Sequence, residues 1–255
     1  NGYPIKDMTK ADAESGYDPK YPWKNRDPRF YKDIIFDGEW CGETGNGQYC
    51  QLYTNGADSE EKDPQKGCFT GYMNSKLCLK IVNNANVRGA HYAVLSLMRL
   101  ADVYLMYSEA TAVGYGSPQS KASSFYMTAE DAINEIRDRA GVGSLPIPTD
   151  PQEFEDALAQ ERKWEFGGEL SLRTDLIRMG RIAKELAATK QAMKDLSDRK
   201  NKYADVPVYR LYKFHKDAQT YGDTFLAIDY IELTDDNEIA VAKAVPTNKA
   251  EYDAF

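Results

Sequence analysis

The stretch best equipped for chemistry is residues 37–53, DGEWCGETGNGQYCQLY. Trp40, Tyr49 and Tyr53 supply aromatic rings, Asn46 and Gln51 supply amides, and Cys41 and Cys50 bracket a glycine-rich middle. Such rings offer flat apolar faces with polar edges, and amides hydrogen-bond hydroxyls or peptide groups. Binding groups are disproportionately carried on loops held by a rigid scaffold. Trp40, Tyr49, Tyr53, Asn46 and Gln51 are therefore candidate ligand residues for sugar or peptide capture. The competing reading is a surface loop whose tryptophan tucks back onto the fold.

Cys41, Cys50, Cys68 and Cys78 are the whole cysteine complement. No pair has CxxC spacing, so zinc or thioredoxin-like redox chemistry has little support. Four cysteines in one segment allow two disulfides, which require an oxidising compartment, or four thiols. Both alternatives stand at this point. A second chemical candidate is Glu161 with Glu165, one helical turn apart, the kind of carboxylate pair a glycosidase uses. With 40 acidic residues such pairs arise by chance, and internal ion pairing is the expected role. His91 and His215 are the only histidines, which disfavours His-rich metal sites. No nucleophile elbow, phosphate-binding loop or dinucleotide fingerprint is present. The residues imply no cofactor and no metal.

The chain has 255 residues with 32 basic and 40 acidic side chains, a formal charge of −8. That balance disfavours a phosphate-tracking nucleic-acid binder. No apolar run is long enough to span a membrane. The first residue is Asn1, with no secretory or lipid-attachment signal, so the sequence reads as a processed product or the C-terminal part of a longer protein.

Three segments must position these residues. Residues 1–87 are loop-rich, with turn formers at Gly16-Tyr17-Asp18-Pro19, Asn25-Arg26-Asp27-Pro28 and Asn55-Gly56. Residues 88–199 are helical in pattern. A nearly all-round apolar helix is expected from about Arg88 to Val113, buried in a helical assembly, with Arg99, Asp102 and Glu109 in internal ion pairs or a narrow solvent strip. A second helix starts behind a Thr128–Asp131 capping box and stops at Gly141. A third has Asp150 as N-cap, Pro151 in its first turn, Glu153 at the capping-box position and a stop at Gly167-Gly168. A fourth is expected to run unbroken from about Thr174 to Leu196. Residues 200–255 return to irregular structure, with strand-like content at 206–209 and 225–233.

Several stretches together resemble one known family. Ser15-Gly16-Tyr17-Asp18-Pro19, followed by Pro22-Trp23-Lys24-Asn25-Arg26-Asp27-Pro28-Arg29-Phe30-Tyr31, resembles the opening signature of the SusD/RagB family. Thr70-Gly71-Tyr72, the helix Arg99-Leu100-Ala101-Asp102-Val103-Tyr104-Leu105-Met106-Tyr107-Ser108-Glu109-Ala110, the segment Gln160-Glu161-Arg162-Lys163-Trp164-Glu165-Phe166-Gly167-Gly168-Glu169 with Asp175-Leu176-Ile177-Arg178, and Ala244-Val245-Pro246-Thr247 with Glu251 follow in the family's order. The main departure is at residues 169–174. ELSLRT stands where the family usually has EGHRWF, so its aromatic pair is lost.

The resemblance implies a mainly α fold, SusD-like, with tetratricopeptide-like helical hairpins, long irregular loops and a few short strands. Members are longer than this chain. Residues 1–255 are accordingly expected to be the C-terminal part of a SusD/RagB-like domain, with 1–87 facing ligand, 88–199 the helical core and 200–255 an irregular C-terminal segment. The family implies an outer-membrane lipoprotein of Bacteroidetes, anchored at the cell surface through an N-terminal Cys outside this chain. It implies a binding protein rather than an enzyme. Its expected partners are a glycan, or a peptide as in RagB-like members, a TonB-dependent SusC-like transporter, and the N-terminal half of the same protein. Trp23, by contrast, belongs to a structural motif in which Arg26 and Arg29 tie loops to helices.

The disulfide alternative predicts that reduction adds the mass of two hydrogens per bridge. An unchanged intact mass on reduction selects the four-thiol alternative.

Overall fold

A computed structural model describes residues 3–19, 22–37, 39–41, 48–50, 52, 58, 68, 70–76, 96–169, 171–206, 209–214 and 228–234. Among these, helices α1 (Pro28–Asp33), α2 (Leu100–Tyr115), α3 (Ala129–Ala140), α4 (Pro151–Phe166), α5 (Ser171–Arg178) and α6 (Ile182–Ser197) dominate. Strands β1 (Ile34–Phe36), β2 (Trp40–Cys41), β3 (Gln48–Tyr49), β4 (Tyr72–Asn74), β5 (Tyr209–Phe214) and β6 (Ile228–Thr234) form three two-stranded antiparallel ribbons, β1–β4, β2–β3 and β5–β6. The fold is mainly α with a few short strands, as expected. The chain divides into two compact units. One comprises Asn1–Pro4, Asp27–Asp33 and Tyr92–Lys190, and the other Ile5–Arg26, Ile34–His91 and Gln191–Phe255.

The first unit is helical. α3 forms where its caps predict. Thr128 accepts from the Asp131 amide at 3.0 Å and Asp131 accepts from the Thr128 amide at 2.8 Å, closing the capping box. Ala129, Ala132, Ile133 and Ile136, at helical spacing, are all buried. At the start of α4, Asp150 accepts from the amides of Gln152 and Glu153, each at 3.0 Å. Ala101, Leu105 and Ala112 of α2, the α3 stripe, and Phe154, Leu158 and Phe166 of α4 form one apolar core. Ser108, fully buried, donates to the Ala129 carbonyl at 2.6 Å and fixes α2 against the start of α3. Asn134 bonds both the N–H and the C=O of Leu145, each at 2.9 Å, and holds the α3–α4 connection.

Two helix expectations are corrected. α2 begins at Leu100, and only one face of it is buried. Leu100, Val103 and Val113 are 67%, 46% and 67% exposed. The sequence is apolar on every side of this helix, but α3 and α4 cover a single stripe. The helix expected from Thr174 to Leu196 is two helices. Gly180 sits at φ +67°, in the left-handed region that glycine enters without strain, and the Arg181 amide reaches back to the Leu176 carbonyl at 2.8 Å. The in-phase apolar positions Ile182, Leu186, Met193 and Leu196 all lie beyond the break, within α6, so their periodicity says nothing about it. Leu186, Met193 and Leu196 are exposed.

The second unit holds the loop-rich motifs. Tyr17 is buried and its hydroxyl donates to the Met8 carbonyl at 3.1 Å. Asn25, at φ +56°, donates from its amide to the Gly16 carbonyl at 2.9 Å. Trp23 is buried and stacks on Phe36 with ring centres 5.8 Å apart, so it serves packing, as read from the sequence. Asp37 accepts from the Leu52 amide at 2.8 Å, and Ile35, Cys50 and Leu52 make a small core.

Thr128→Ala should lower stability by about 1 kcal/mol through loss of the cap. Chemical denaturation with an unchanged slope and a lower midpoint would show it.

Candidate functional site

β2 and β3 place Trp40 opposite Tyr49 and Cys41 opposite Gln48. Two of the candidate ligand residues thus occupy directly paired positions on one short ribbon, with the sequence GETGNG between the strands. The ribbon is held at its base by backbone and carboxylate bonds: the Cys50 amide donates to the Glu39 carbonyl at 2.8 Å, next to the Asp37–Leu52 contact. Asn46, Gln51 and Tyr53 lie outside the described residues, as do Cys78 and the motif at Ala244–Thr247 with Glu251. Cys50 is buried, and Cys68 packs against the same small core. Cys68 carries a free thiol, which donates to the Tyr72 carbonyl at 3.3 Å.

The paired carboxylates on α4 have a different fate from catalysis. Glu161 and Glu165 are each 2% exposed. Arg29 on α1 donates from one nitrogen to Glu161 Oε1 at 2.7 Å and to Glu165 Oε2 at 3.0 Å. Arg137 of α3 reaches Glu161 Oε2 at 3.2 Å, and Arg139 pairs with Glu165. Arg99, before α2, pairs with Glu165 Oε1 and also grips Glu169 through two bonds of 2.8 and 3.1 Å. A buried carboxylate persists as an anion only when such partners offset its desolvation. Burial pushes the Glu165 carboxyl up, but the hydrogen bonds from Arg99 and Arg29 outweigh it and hold the group below its ordinary 4.5. A general acid needs the opposite shift and open access to a substrate.

A second tier extends the same logic. Arg162, 2% exposed, bonds Asp102 at 2.7 Å and Asp175 at 2.6 and 3.0 Å. Its guanidinium and that of Arg99 lie 5.0 and 4.4 Å from the Phe166 ring centre. Arg178 holds Glu109 in a two-bond fork at 2.6 and 2.8 Å. Arg99, Asp102 and Glu109, expected in internal ion pairs or a narrow solvent strip, are all ion-paired; the Asp102 pair is buried, the Arg99 pairs are partly buried, and Glu109 meets Arg178 at the surface. Arg29 ties its segment to a helix as anticipated, and Arg26 donates to the Pro22 carbonyl at 3.1 Å. Sequence reading paired none of these residues with its partner. The available signal was that acidic and basic residues alternate at helical spacing within otherwise apolar motifs.

Glu165→Ala removes the anion that Arg29, Arg99 and Arg139 share, although Arg29 keeps Glu161 and Arg99 keeps Glu169, and should cost about 3–5 kcal/mol. Arg139→Ala removes a partner whose side chain is 57% exposed, and should cost at most about 1 kcal/mol. Because the Glu165 value is lowered on folding, its contribution is complete above the unfolded value of 4.5 and is lost as pH falls through the lower folded value. Urea midpoints followed from neutral pH down to acid should show a smaller loss in Glu165→Gln than in the parent chain, because Asp156 and Glu185, also lowered on folding, still contribute theirs.

Comparison with known proteins places this geometry. The model for the SusD family matches residues 1–237. The SusD-like protein P25 of Formosa agariphila is 38% identical over 87 residues, which is 33% of this chain and 15% of that protein. The chain therefore aligns with only a minor part of that relative's length. No solved structure matches. The match over most of the chain, with Arg29, Glu161, Arg162, Glu165 and Asp175 of the recognised motifs engaged with one another, means that the chain belongs to the SusD family.

Proposed function

We propose that this chain belongs to a cell-surface glycan-binding protein, which captures oligosaccharide or polysaccharide and delivers it to a TonB-dependent SusC-like transporter. SusD-family proteins are nutrient-binding components of the outer membrane. Among the described residues no helix is long and apolar enough to cross a membrane, which is compatible with a lipid anchor. The observation that carries the glycan reading is the register of β2 and β3, which sets Trp40 opposite Tyr49. Paired aromatic positions beside a glycine-rich loop suit stacking on pyranose rings, with Asn46, Gln51 and Tyr53 as further contacts. The loop-rich segment 1–87 is the ligand-facing part of the domain in this reading. Single sugar contacts are weak, so repeated units of a polymer raise the overall affinity.

Titration calorimetry against starch, fructans, xylan, mannan, mucin glycans and a mixed peptide pool tests the proposal. Heat is expected from one polysaccharide class, and Trp40→Ala should weaken that binding by about 1–2 kcal/mol. Heat from peptides alone would replace the glycan reading with peptide uptake. Unchanged affinity in Trp40→Ala would remove Trp40 from the site.

A further inference from the structure

A pocket of about 310 Å³ opens in the helical unit, between the segment leading into α2 and the start of α5. Asp102, Phe166, Ser171, Thr174 and Asp175 line it, with Leu97 and Met98 at the lip. Its size is at the lower end for small-molecule sites, enough for a single small ring. The pocket lies where the sequence departs from the family pattern. Counting back from Asp175, Thr174 stands at the second aromatic position of the replaced EGHRWF segment, and a hydroxyl takes the place of a ring.

Three observations describe what the pocket can bind. Ser171 Oγ is buried with no hydrogen-bond partner among the described residues. Arg162, which does not line the pocket but is held by its two aspartates, leaves Nη1 without a partner among the described residues. Asp102 binds Arg162 through Oδ1 alone, and Asp175 binds it through Oδ2 alone, with Oδ1 3.9 Å from Arg178. Each aspartate is at least nine-tenths buried and keeps one oxygen available to accept. The wall is therefore rich in acceptors and hydroxyls. It is not rich in unmatched charge, because Arg162 and Arg178 stand against the two aspartates, and Arg99 and Glu169, which also line the pocket, pair with each other. A cation would find no uncompensated anion. A neutral ligand with several O–H donors and an apolar face satisfies the acceptors and lies against Phe166, Leu97 and Met98.

We infer that this pocket is a binding site for one neutral sugar ring, distinct in residues from the Trp40–Tyr49 ribbon. The choice of a sugar over other neutral polyols rests on the glycan reading of function. The amides of Ser171, Thr174 and Asp175 report on the pocket, and the Trp40 indole on the ribbon. The full chain would be titrated with glucose, galactose, mannose and xylose in ¹⁵N–¹H correlation spectra, with n-butylamine as the cationic comparator. One sugar should shift the three pocket amides saturably at millimolar concentration. Thr174→Phe fills the pocket from an exposed position and keeps every ion pair, so it should weaken that response at least about tenfold. Ser171→Ala should weaken it in the same direction, with an unchanged melting curve.

No response to any of the four sugars, tighter binding of n-butylamine, or an undiminished response in Thr174→Phe would each overturn the inference. Trp40→Ala separates the two claims. If polysaccharide binding fails to depend on Trp40 while the pocket amides still respond, the ribbon site falls and the pocket stands. The converse pattern removes the pocket alone.

Discussion

Arg29 sharing one guanidinium nitrogen between Glu161 and Glu165 is the contact on which the helical unit depends. The two carboxylates lie one turn apart on α4 and are almost fully withdrawn from water. An anion in that position is tolerable only if cations are delivered to it, and each must come from elsewhere in the chain. α1 supplies Arg29, the segment before α2 supplies Arg99, and α3 supplies Arg137 and Arg139. α1 is six residues long and none of its residues is fully buried, and Arg29 is its ion-pair link to α4. Burying these charges is not a route to maximal stability, since apolar replacements of equal shape often do as well. What the arrangement supplies is a single permitted way for four pieces of chain to meet.

That constraint also directs where function can reside. The acidic face of α4 is fully committed to arginines, and Arg162 commits Asp102 and Asp175 in turn. The motifs that identify the family are thus internal fasteners. In the proposed reading, ligand recognition falls to other parts: the β2–β3 ribbon with Trp40 and Tyr49, and the pocket where Thr174 stands at a position that is aromatic in the family pattern. A shared frame with variable loops and side chains matches the general rule that ligand identity belongs to sites, not folds.

Much of this frame was legible in the sequence. The capping box at Thr128, the N-cap at Asp150 and the stops at Gly141 and Gly167 are local signals, decided by residues within one turn, and the structure agrees with them. The start of α2 was not legible, because apolar residues run continuously through residues 92–98 and give no boundary. The break at Gly180 was not legible because the in-phase apolar positions that suggest one helix all lie beyond it, in α6. The one-sided burial of α2 depends on which neighbours reach it, which no local pattern contains. The packing role of Trp23 was legible because it lies within a recognised structural motif with the turn formers Asn25, Asp27 and Pro28. The partners of Glu161 and Glu165 lie up to 136 positions away in the chain, a distance over which composition carries no information.

The most direct test is a double-mutant cycle between Arg29 and Glu161, using Arg29→Ala, Glu161→Ala and the double variant, read as unfolding free energy in denaturant. A coupling of about 1–3 kcal/mol is predicted, with the double variant less destabilised than the sum of the single ones. A coupling below about 0.5 kcal/mol would contradict the account, because it would make the two residues neighbours without energetic consequence.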